Sequence, residues 1–66
     1  MSQAIRLSLL RSGARNLQEF GYPSADTKNI LTDYVFRKFF VSMLKDNLGK
    51  NVAYDEEIRK LLAELK

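Results

Sequence analysis

The 66-residue chain contains no cysteine, no histidine, no tryptophan, one proline and three glycines. Without cysteine there can be no disulfide. Without cysteine or histidine the common structural zinc sites have no ligands. The same two absences remove the usual Ser–His and Cys–His arrangements for nucleophilic catalysis. Glycine is too sparse for a phosphate-cradling loop: Gly13, Gly21 and Gly49 are isolated, and none opens a Gly-rich turn between a strand and a helix. Calcium-loop spacing is also missing. No apolar run approaches the roughly 20 residues that cross a bilayer, so no membrane role is expected. The lack of cysteine fits a reducing compartment, and a cytoplasmic location is the expectation. No cofactor, no metal and no enzymatic activity are expected.

These absences bear on stability as well. A domain of about 60 residues buries only about 60% of its unfolded surface. Small scaffolds usually compensate with disulfides, a metal or oligomerisation. Here a well-packed helical core and self-association are the two routes left.

What is present is globular in character, with 45% hydrophobic and 29% charged residues. No repeat, low-complexity tract or linker divides the chain, so residues 1–66 read as a single helical domain. The first twelve residues carry Arg and Ser and no acid, a composition shared with organelle transit peptides. Their removal would leave too little chain to fold.

Helical periodicity runs throughout. A first segment spans about Ser2–Arg11, with Ser2 as its N-cap, and a second spans about Ala14–Phe20. Leu10, Ala14 and Leu17 continue one stripe, so the two can be one helix with a weak point at Gly13, which costs about 1 kcal/mol against alanine. Gly21 suits a left-handed C-terminal position, and Pro23 prevents continuation. The third segment dominates: Asp26 or Thr27 can cap it and Gly49 can end it, giving a helix of about 21 residues over about 27–48, roughly 32 Å long. The fourth spans about Asp55–Leu65, with Asp55 as N-cap and Ile58, Leu61, Leu62 and Leu65 in one stripe. Glu56 and Glu57 suit its positive end, and Glu56 pairs with Lys60 at i, i+4. The expected fold is all-α: a small three- to four-helix bundle with a long central helix.

Placed at 100° intervals, the third segment is apolar almost all round. Ile30, Tyr34, Val41 and Leu48 share one direction; Leu31, Val35 and Phe39 lie on a second flank; Phe36, Phe40, Met43 and Leu44 lie on a third. The stripes of the flanking segments, including Leu17 and Phe20, cover about two flanks. The third is then left as an apolar anchor for a protein partner or a second copy of the chain, with Arg37 at its rim. The leading expectation is a non-enzymatic protein-interaction module: a small regulator, adaptor or inhibitor that acts on a larger protein or complex and forms a homo-oligomer, most simply a homodimer.

Charge supports an alternative. The net charge is +3, and through Lys50 there are eight bases against four acids. Arg6, Arg11 and Arg15 lie in a stretch without acids, and with Lys28 they form a candidate nucleic-acid contact set. Segments two and three loosely resemble a helix-turn-helix. Against this, Asp33 would repel phosphate, and the would-be recognition helix is too apolar for a groove. Ser42 with Lys38 or Lys45, and the carboxylates Asp55, Glu56 and Glu57, are better explained by helix position than by catalysis or metal binding.

Overall fold

In the computed structural model, which describes residues 2–65, the chain forms four helices and no strand among those residues. They are α1 (Ser2–Glu19), α2 (Asn29–Thr32), α3 (Tyr34–Asn47) and α4 (Val52–Glu64). The all-α bundle is as expected. The cap expected at Ser2 lies outside the described side chains.

The first two segments are one helix. Gly13 does not interrupt α1, because its missing side chain is what lets another helix approach. A Cβ built on it would stand 2.7 Å from Phe40 Cδ1 and 3.3 Å from Ile30 Cδ1. α1 ends in a Schellman motif: Tyr22 N–H donates to Leu17 O at 3.0 Å and Gly21 N–H to Gln18 O at 3.1 Å. Gly21 sits at φ 108°, a conformation that a side chain would strain. Ala25 is buried in the following turn, whose carbonyl at Ala25 accepts from Gln18 Nε2 at 2.7 Å.

The long central helix expected over 27–48 is broken at Asp33. Asp26 Oδ1 accepts from Lys28 N and Asn29 N, capping the short α2. Asp33 then leaves the helical region (φ −81°, ψ 129°) and caps α3, its Oδ1 accepting from Val35 N at 2.9 Å and Phe36 N at 3.2 Å. The side chain offers the backbone an alternative to the helical ladder, and one extended residue resets the rotational phase between Ile30 and Phe36. In an unbroken helix these two would point about 120° apart. After the break both face the core.

The start of α4 also differs from expectation. Asn51 is its N-cap, accepting from Ala53 N at 3.0 Å. Asp55 lies in the first turn, where its carboxylate accepts from Gly49 N at 3.0 Å and ties the α3–α4 turn to the helix. The core is built from Leu9, Leu10, Ala14 and Leu17 of α1, Ala25, Ile30 of α2, Phe36, Phe40 and Leu44 of α3, and Ile58 and Leu61 of α4. No described helix is long and apolar enough to cross a membrane.

Candidate functional site

The flank expected to be an exposed anchor is inside. Phe36 is 8% exposed, and Phe40 and Leu44 are 0% exposed within a single copy. Met43 is half-buried and its sulfur accepts from Asn16 Nδ2 at 3.6 Å. Arg37 lines an open cleft on α3, and Met43 borders a second cleft between α1 and α3. The correction follows from the break at Asp33. The rephased α3 turns this flank inward, Gly13 makes room for the Phe40 ring, and no second copy is needed to cover it.

Phe20 moves the other way. Expected to contribute to the core, it is 73% exposed. It follows α1 directly, next to Gly21, beyond the stripe that reaches the core through Leu17. Its ring meets half-buried Phe39 edge to face, with centroids 5.6 Å apart. Alongside, Tyr22 meets Phe36 in the same geometry at 5.7 Å. Phe36 and Phe39 are neighbours at i, i+3, and Phe20 and Tyr22 flank Gly21, so the two pairs lie side by side. Val35, at i−4 from Phe39 and 54% exposed, extends the face along α3. The Tyr22–Phe36 pair fastens the turn to the bundle. The Phe20–Phe39 pair does little of that, since most of Phe20 remains in water. Periodicity places Val35 and Phe39 on one flank, but it does not show that Phe20 leaves the core to join them, because that depends on the chain reversal at Gly21.

The four cations of the candidate nucleic-acid set are not brought to one face. Arg6 lies about 140° round α1 from Arg11 and donates to Glu64 Oε2 at 2.8 Å. Arg11 and Arg15 are exposed and share a shallow cleft with Gln18, Asp26 and Thr27, which places a carboxylate beside them. Lys28 is exposed, and its backbone N–H is held by that same carboxylate.

Among the described residues no three potential ligands gather as a metal site. Asp55, Glu56 and Glu57 separate: Asp55 turns to Gly49, Glu56 lies 3.6 Å from Lys60 as expected, and Glu57 is buried with Lys60 at 3.9 Å. Ser42, Lys38 and Lys45 line one side of an open cleft against Leu65. The chain matches no protein-family model, no curated protein and no solved structure.

Proposed function

We propose that this chain is a non-enzymatic protein-interaction module that docks the Phe20–Phe39 edge, extended by Val35, against an apolar surface of a partner protein. The supporting observation is Phe20: a phenylalanine 73% exposed yet held in a defined orientation by an edge-to-face contact. Burying a phenylalanine is worth about 1.5–3 kcal/mol, and rigid aromatic side chains are preferred interface anchors. The fold leaves most of that free energy unused, and an interface would recover it.

A nucleic-acid role has less support. It rests on Arg11 and Arg15 beside Asp26, with Arg6 engaged by Glu64.

Site-specific photocrosslinking tests the reading. A benzophenone side chain is placed at position 20 and, as a control, at exposed Arg59, and the chain is irradiated in extract of its native host. The expected result is a discrete adduct from position 20 that excess unlabelled protein competes away and excess Phe20→Ser protein does not. An adduct at twice the chain mass would identify the partner as a second copy. No adduct, or the same adducts from both positions, overturns the proposal.

A further inference from the structure

On the opposite flank of α3 lies a cleft of about 370 Å³, lined by Arg37, Lys38, Val41, Ser42 and Lys45 of α3 and by Leu65 just beyond α4. Arg37, Val41 and Lys45 follow one another at i, i+4, i+8, and Lys38 and Ser42 form the adjacent row, so one side of the helix carries three cations over about 12 Å. Among the described residues no carboxylate lines the cleft. The ion pairs among the described residues are Arg6–Glu64 and those of Lys60 with Glu56 and Glu57, and none involves these three cations. Lys38 Nζ instead lies 5.4 Å from the centre of the Tyr34 ring. The middle of the cleft is apolar, supplied by Val41 and Leu65.

We propose that this cleft receives a short acidic segment of a partner protein, its carboxylates meeting Arg37, Lys38 and Lys45 and an apolar side chain resting on Val41 and Leu65. The cations are spread along the helix rather than converging on a point, so a single small anion could meet only one or two of them. An extended or helical segment with carboxylates a turn or two apart can meet all three.

A nucleic-acid duplex fits less well. It presents a negative charge about every 1.7 Å over a long footprint, whereas Asp33 and Asp46 bracket α3 and Glu56 and Glu64 lie exposed on α4. Sugar and phosphate would also leave the apolar floor unused. This surface is independent of the aromatic face, because Val41 lies about 200° round the helix from Phe39.

The test uses the full chain and fluorescence anisotropy. The probes are a fluorescein-labelled peptide of paired glutamates separated by leucines, its glutamine counterpart and a labelled DNA duplex, with inorganic phosphate as competitor. The acidic peptide should bind, lose affinity as salt is raised, and be preferred over the glutamine peptide and the duplex. The double variant Lys38→Gln/Lys45→Gln removes two exposed cations and should weaken binding about tenfold, the effect of two exposed ion pairs. Arg11→Gln/Arg15→Gln makes the same change in net charge and should leave binding within about twofold, as should Phe20→Ser. Equal losses from both cation pairs would reduce the effect to net charge and overturn the proposal. So would equal binding of the glutamine peptide, tighter binding of the duplex, displacement by phosphate at comparable ionic strength, or loss on Phe20→Ser, which would place the peptide on the aromatic face.

Discussion

Gly13 lies in the middle of the longest helix and leaves it intact, whereas Asp33 lies inside the most apolar stretch of the chain and ends one helix to begin another. Intrinsic propensity ranks glycine below aspartate as a helix former, so the two positions behave in the reverse order. At Gly13 the cost of a flexible residue is offset by close packing, since the Phe40 ring occupies the space a side chain would fill. At Asp33 a carboxylate satisfies two backbone N–H groups that open α3, and the turn lets Ile30 and Phe36 reach the same core. Tertiary packing overrides local preference in one place, and a local hydrogen bond redirects tertiary packing in the other.

Gly13→Ala offers the sharpest way to break this comparison. If backbone preference dominated, alanine would stabilise α1 by about 1 kcal/mol. The added methyl would stand 2.7 Å from a ring atom of a fully buried phenylalanine, not from the yielding end of a flexible side chain. Overpacking of this kind costs about 1–3 kcal/mol, so a net loss of up to about 2 kcal/mol is expected from urea unfolding. Phe40→Leu removes the ring edge, and the double variant Gly13→Ala/Phe40→Leu should be more stable than the two single losses added together. Strict additivity would show that the glycine is not there for the ring.

A smaller loss is expected at Asp33. Asp33→Ala removes an N-cap, at a cost of about 1 kcal/mol, while Asp33→Asn retains a capping oxygen and should be close to neutral. Equal destabilisation by both would point to the negative charge rather than to the accepted hydrogen bonds. A gain in stability from alanine would mean that fusing α2 with α3 is tolerated, and the phase-reset account of the core would fail.

The same two positions explain which parts of the architecture were legible in the sequence. Helical class, the Leu10–Ala14–Leu17 stripe, the left-handed Gly21 and the inward face of α4 all depend on short-range spacing, and short-range spacing is visible in a sequence. The status of Phe36, Phe40 and Leu44 depends on a rotation set by one residue. A continuous helix carries the wrong rotation and presents an interior flank as a docking face. The signal that matters at Asp33 is its side-chain oxygen rather than its charge, since an Asx residue ahead of an apolar run is a helix start signal. Phe20 departs from the core for a related reason: a residue just past the last helical turn is carried outward when a Schellman motif reverses the chain. Of the N-terminal arginines, Arg11 and Arg15 share a face as their spacing implies, whereas Arg6 lies round the helix and pairs with Glu64.

Charge should matter least in this comparison, and the Arg6–Glu64 pair tests that. It links the start of α1 to the end of α4 across 58 positions of sequence, so it closes the bundle topologically. Its side chains are 31% and 50% exposed, and exposed pairs contribute about 0–1 kcal/mol because water screens them and ordering two long side chains opposes the gain. Arg6→Gln should therefore cost no more than about 0.5 kcal/mol at low salt. The difference from the parent chain should vanish near 1 M salt, where the screening length falls to about 3 Å. A salt-insensitive loss as large as that of Gly13→Ala would mean that the Arg6 side chain covers the α1–α4 seam through its methylene groups. The ends of the bundle would then be held by packing too, and the contrast between Gly13 and Asp33 would extend to the termini.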